Sequence, residues 1–110
     1  MSIYLHLVFS TKYRERTITE EFIRFSHDFF KEFLTTRSIE MLACNGYQNH
    51  IHLLVKFEKD INLPDIVQRL KGGVAWRFNV MGLTQDKFRW SSGYYAQRVQ
   101  YSRVHQLIGY

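Results

Sequence analysis

Two histidines separated by one apolar residue, His50-Ile51-His52, run straight into Leu53-Leu54-Val55. On an extended strand successive side chains point to opposite faces, so His50 and His52 share one face while Ile51, Leu53, Val55 and Phe57 share the other. A strand of this pattern belongs in a sheet with a core on one side and a polar surface on the other. Upstream, Asn45-Gly46 and Gln48-Asn49 are turn residues, which predicts that residues 39–46 pair with the histidine strand as an antiparallel hairpin. Imidazoles roughly 7 Å apart along a pleat can converge on one metal ion or one phosphate. The plain alternative is a half-polar sheet surface, because short motifs have a high false-positive rate.

The remaining elements follow from periodicity. Ile3, Leu5, Leu7 and Phe9 alternate with Tyr4, His6, Val8 and Ser10, which predicts a first strand. His6 reads as a strand-surface histidine that could lie beside His50 and His52. A basic loop with one aromatic follows, Thr11-Lys12-Tyr13-Arg14-Glu15-Arg16. Thr19 is a good N-cap, with Glu20 and Glu21 in the first turn, and Phe22, Phe25, Phe29, Phe30, Phe33 and Leu34 recur at helical spacing. That predicts a helix over residues 19–35 whose aromatic stripe is core.

After the hairpin, Asn62 and Pro64 open a second helix on which Ile66, Val67, Leu70, Val74 and Phe78 keep one face. Gly72-Gly73 inside it implies close approach of another element or a ligand, since each glycine costs about 1 kcal/mol in a helix. Residues 79–85 read as a loop, and a fourth strand begins within residues 89–96 and runs to Val99. Ser102 caps a last helix with Val104, Leu107 and Ile108 on its apolar face. The order is strand, helix, strand, strand, helix, strand, helix. This is an α+β, ferredoxin-like antiparallel sheet with one helix added, in a single domain over residues 1–110.

A chain of 110 residues with 45% hydrophobic and 16% aromatic residues suits one packed core and argues against disorder. No apolar run approaches a membrane span, no signal-peptide layout is present, and the lone Cys44 excludes an internal disulfide and a cysteine-based zinc site. A reducing cytoplasm fits best. Net charge is +5, and the stretch from Arg69 to Arg103 holds seven basic residues, Arg69, Lys71, Arg77, Lys87, Arg89, Arg98 and Arg103, and one acid, Asp86. Such a basic surplus suits a polyanion, with nucleic acid first and an anionic membrane second.

Several separated stretches then coincide: His6-Leu7-Val8-Phe9-Ser10-Thr11-Lys12-Tyr13-Arg14, His50-Ile51-His52-Leu53-Leu54-Val55, Ile66-Val67-Gln68-Arg69-Leu70-Lys71-Gly72, Trp90-Ser91-Ser92-Gly93-Tyr94, and residues 99–110. In that order they resemble the small single-domain tyrosine transposases of bacterial and archaeal insertion sequences and their relatives associated with repetitive extragenic palindromes. These belong to the histidine–hydrophobe–histidine nuclease superfamily. The resemblance implies that His50 and His52 help hold a divalent ion, Mg²⁺ or Mn²⁺, on a scissile phosphate of single-stranded DNA. It implies that Tyr110, on the last helix, is the nucleophile, leaving a 5′-phosphotyrosine and a free 3′-hydroxyl. It also implies hairpin DNA as substrate and a homodimer as the working form.

Lys12, Arg14, Arg16, Lys71, Arg77, Lys87, Arg89 and Arg98 are the candidate DNA-backbone contacts, and Tyr13 and Trp90 are candidates to stack on bases. Tyr94, Tyr95 and Tyr101 are rival tyrosines. One departure stands out: the family pattern has a further polar ligand, usually glutamine, one helical turn past the tyrosine, and the sequence stops at Tyr110. A truncated form, a protein that has lost its chemistry, or a shell completed by His6 or water would each account for it. The competing readings are therefore a decayed or domesticated relative that binds hairpin nucleic acid without cutting it and, more weakly, a ferredoxin-like small-molecule or metal-binding domain.

Overall fold

Four strands form one antiparallel sheet: β1 (Ile3–Ser10), β2 (Glu40–Gly46), β3 (His50–Phe57) and β4 (Tyr95–Val99), in the order β2-β3-β1-β4. Among the described residues three α-helices accompany them, α1 (Glu20–Thr35), α2 (Leu63–Met81) and α3 (Val104–Ile108). The computed structural model describes residues 1–82 and 87–108. Helix α1 crosses from β1 to β2 while β3 inserts between them, which gives the split β-α-β arrangement of the ferredoxin-like fold.

Each element starts where local chemistry dictates. The Thr19 hydroxyl accepts the Phe22 amide at 3.1 Å and caps α1; Asn62 Oδ1 accepts the Asp65 amide at 3.2 Å and caps α2. The β2–β3 turn is closed by the Tyr47 amide on His50 O at 2.8 Å. The core lies between the sheet and the α1–α2 layer. Leu7 and Phe9 of β1 and Ile51, Leu53 and Val55 of β3 meet Phe22, Phe30 and Leu34 of α1 and Leu70, Val74 and Phe78 of α2, all buried. Each such side chain contributes about 1.5–3 kcal/mol on leaving water.

Two sequence expectations need correction. Helix α2 continues through residues 79–81 and stops at Gly82, which takes the left-handed conformation of a helix C-terminus (φ 64°). The Asn79 side chain then pairs with both the amide and the carbonyl of Phe88, at 2.7 and 3.1 Å. The rest of the expected loop falls outside the described residues. Strand β4 starts at Tyr95, inside the stretch expected for it, because residues 91–94 leave the ladder after a single bridge between Thr11 and Trp90. Ser102 lies inside a short 3-10 turn (Tyr101–Arg103) that precedes α3, so it is not the cap.

The glycine pair of α2 has a structural cause. A Cβ on Gly73 would stand 2.5 Å from the Phe29 ring, so this glycine lets α1 and α2 approach; Gly72 faces open space. Cys44 is half-buried against the core.

Candidate histidine site and nucleic-acid interface

Strand parity and strand order together build the site. His50 and His52 project from β3 on the face away from α1 and α2, and His52 is buried. In the register Ser10 stands opposite His50, Val8 opposite His52, and His6 opposite Leu54, so His6 joins the same face from β1. Its ring meets His52 edge-on at 5.6 Å between centroids, and His50 stacks on His52 at 6.0 Å. Strand β4 adds Tyr95, whose ring is 6.2 Å from His6 and whose hydroxyl donates to Gln97 Oε1; β2 adds Asn45, opposite His52.

The three imidazoles are held toward the neutral form. Burial lowers the pKa of His6; burial and then the Arg14 charge lower that of His50; burial, then His6 and His50, lower that of His52. A metal-ligating imidazole must be neutral. His50 Nδ1 lies 2.9 Å from Asn49 Oδ1, an acceptor, so Nδ1 carries the proton and Nε2 presents its lone pair. His6 Nε2 is buried with no hydrogen-bond partner among the described residues. Nitrogen donors of this kind fit a divalent ion. Among the described residues, however, no group of three or more His, Cys, Asp or Glu surrounds a common point suited to one.

Helix α3 closes one side of this face. Leu107 and Ile108 line a cleft of about 240 Å³ together with His6, His52 and Asn45. Tyr110 lies outside the described residues, two positions beyond Ile108 in the sequence. Arg103 reaches an adjoining cleft with His6 and Gln97. Asn45 and Gln97 come to the histidines only through strand pairing, and Arg103 through the turn after β4, so no local sequence signal marks them; Asn49 is the chain neighbour of His50 and was legible beside it.

The basic candidates divide. Lys12, Tyr13, Arg14 and Arg16 sit on the turn after β1, where Tyr13 is 79% exposed and both Tyr13 and Arg14 have left-handed backbone (φ 57° and 54°). Non-glycine residues in that region cost on the order of 1 kcal/mol each. The Thr11 hydroxyl, 2.7 Å from Glu15 O and 3.2 Å from Asn49 O, helps hold the turn next to the hairpin, and Arg14 is close enough to act on His50. Arg89 pairs with Glu15 at 3.1 Å, and Lys87 is exposed nearby in sequence.

Three of the other candidates stand elsewhere. Arg77 lies over Phe29 on the helical layer, and Arg98 occupies a register position opposite Leu5 on the edge strand, where it lines the rim of the cleft that also takes in His6 and Arg103. Lys71 donates to Ser91 O and Gly93 O. Trp90 packs against Phe9, Phe22 and Phe88 and so belongs to the core, not to a base-stacking surface. Tyr94 precedes β4, and Tyr101 is exposed beside Tyr4.

The family model described as "Transposase IS200 like" matches residues 1–110. The chain belongs to the IS200-like transposase family. It is 28% identical over 75 residues to the ISDra2 transposase TnpA of Deinococcus radiodurans, an alignment that takes in 68% of this chain and 54% of that protein. The chain thus spans about half the length of that curated relative. Two solved structures share the fold of this IS200-like chain. One is a crystal structure described as a transposase from Deinococcus radiodurans R1, with TM-score 0.80, 24% identity, and 99% and 90% of the two chains covered. The other, a REP-associated tyrosine transposase bound to a REP hairpin, gives TM-score 0.66 and 13% identity, with 99% and 63% covered. No described helix is long and apolar enough to cross a membrane.

Proposed function

We propose that this IS200-like chain cuts and rejoins single-stranded DNA at the ends of an insertion element, with Tyr110 as nucleophile. The observation that carries this reading is the cleft: the end of α3 lines it together with His6 and His52, and Tyr110 follows two residues on. In the cutting step the Tyr110 phenolate oxygen bonds to phosphorus and the P–O3′ bond breaks. The strand is left as a 5′-phosphotyrosine and a 3′-oxygen that takes up a proton to become the 3′-hydroxyl. A phenolate is both an adequate nucleophile and an adequate leaving group, so the linkage preserves the phosphodiester for rejoining to another 3′-hydroxyl.

His50 and His52 would hold a divalent ion, Mg²⁺ or Mn²⁺, with His6 Nε2 as a further donor facing the same region. When bound, such an ion neutralises charge developing on the phosphate. The chain's own groups do the rest. Arg14 and Lys12, on the turn beside His50, bind the backbone electrostatically, and exposed Tyr13 offers a ring for an unpaired base. Asn49 orients His50. The REP-hairpin complex of the structural relative makes a hairpin-flanked single strand the substrate to try first, and a homodimer is part of the proposal.

The test is cleavage of end-labelled single-stranded oligonucleotides that carry a hairpin from the flanks of the chain's own gene, with Mn²⁺ or Mg²⁺. Metal-dependent cutting that is lost in Tyr110→Phe and His50→Ala and retained in Tyr95→Phe supports the reading. Binding without cutting would make the protein a hairpin-binding relative instead.

A further inference from the structure

Between the pair Val8–Tyr95 and the bridge Thr11–Trp90, β1 uses two residues, Phe9 and Ser10, where the facing segment uses four, Ser91 to Tyr94. The two extra residues must bulge out of the ladder, and Gly93 turns there with φ 77°. Two carbonyls of this bulge, Ser91 O and Gly93 O, receive Lys71 Nζ from α2 at 2.8 and 2.6 Å. The link is reciprocal, since Trp90 Nε1 donates to Lys71 O at 3.0 Å while its ring packs on Phe9, Phe22 and Phe88. Two of the three ammonium protons are therefore committed inside the protein.

The clamped segment is also what holds the basic turn. The Ser91 amide donates to Ser10 O at 2.8 Å and the Lys12 amide to Arg89 O at 3.1 Å. Arg89 Nη2 then donates to Glu15 Oε1 at 3.1 Å, across the turn that carries the left-handed Tyr13 and Arg14. Backbone of that kind persists only where its surroundings over-determine it. The bonds run without a gap from α2 through residues 89–93 to the turn beside His50.

We propose that Lys71 is a positioning residue: with Trp90 it locks the Ser91–Gly93 bulge onto α2 and so holds the Lys12–Tyr13–Arg14 turn at the histidine face. The functional part of this rests on the reading of that turn as a DNA contact. A lysine beside two glycines on a helix invites assignment as a phosphate ligand, but this ammonium already donates two of its three protons to the bulge, which leaves one for any outside acceptor. Burial, which lowers its pKa, agrees with an internal role.

Amide hydrogen exchange and binding of a labelled hairpin-bearing single strand, on the full chain, separate the two roles. Lys71→Met keeps the length and helix propensity of the side chain, and Trp90→Phe removes the reciprocal donor without changing charge. Both variants are expected to speed exchange at Lys12 and Ser91 about tenfold or more, with Leu53 and Val55 unchanged, as for local opening. Both should weaken DNA binding several-fold while the slope of log affinity against log salt stays at the wild-type value. A slope lowered by about 0.7 in Lys71→Met, with exchange at Lys12 and Ser91 unchanged, would make Lys71 a phosphate contact and overturn the proposal. If the wild-type chain binds no DNA, the reading of the turn fails, and unchanged exchange in both variants would still overturn the clamp.

Discussion

Gly72 and Gly73 are neighbours in α2 with opposite reasons to be there. A methyl at Gly72 meets nothing within 4 Å, so Gly72→Ala removes a helix-interior glycine at no steric cost and is expected to stabilise by about 0.5–1 kcal/mol. A methyl at Gly73 would drive into Phe29, whose ring is boxed by Phe25, Phe30, Phe33 and Arg77. Gly73→Ala is therefore expected to destabilise by about 1 kcal/mol or more, as overpacking does. Urea midpoints of the two variants check both signs. Cys44 tests burial separately: its thiol pKa is raised to about 12 from 9.0 by desolvation. Alkylation at pH 8 is thus expected to run on the order of a thousandfold slower in the folded protein than in urea, as the thiolate fraction falls. Labelling at the unfolded rate would show that Cys44 is not sequestered.

Among the elements, β1, α1 and the β2–β3 hairpin were legible because their signals are local: two-residue alternation in residues 3–10, a cap and an aromatic stripe in residues 19–35, turn residues before His50. The end of α2 and the bulge before β4 were not. Asn79 lends its side chain to the backbone of Phe88, and Trp90 is anchored by Lys71 O and by Phe9 and Phe22, all distant in sequence. No window of neighbouring residues carries either fact. The histidine face was half legible, since parity puts His50 and His52 together but only the pairing of β1 with β3 adds His6.

That face also sets a pH dependence. His6, His50 and His52 have lowered pKa values in the fold, against 6.5 when unfolded. Below pH 6.5 the unfolded chain takes up these protons before the folded one does, so stability falls with pH until the lowered folded values are reached. The urea midpoint of the metal-free protein is expected to be lower at pH 5.5 than at pH 7.5, with a smaller difference in His52→Gln. Equal midpoints would show that the imidazoles titrate freely.

At the scale of the whole molecule the sheet divides the labour. One face packs on α1 and α2 and holds the fold; the other carries three imidazoles, the strained basic turn and the end of α3. Membership of the IS200-like family places this arrangement among transposases. The same division explains why Arg77, selected on charge alone, falls away from the histidines: a count of charges carries no information about faces. The proposed attack of Tyr110 on phosphorus, at the face defined by His50 and His52, can be read by mass spectrometry of peptides from protein trapped on a hairpin-bearing single strand in the presence of Mn²⁺. A nucleotide adduct on the peptide that contains Tyr110, absent in His50→Ala, is the expected result. An adduct on Tyr95 or Tyr101, or strand cutting with no protein adduct at all, would contradict the account.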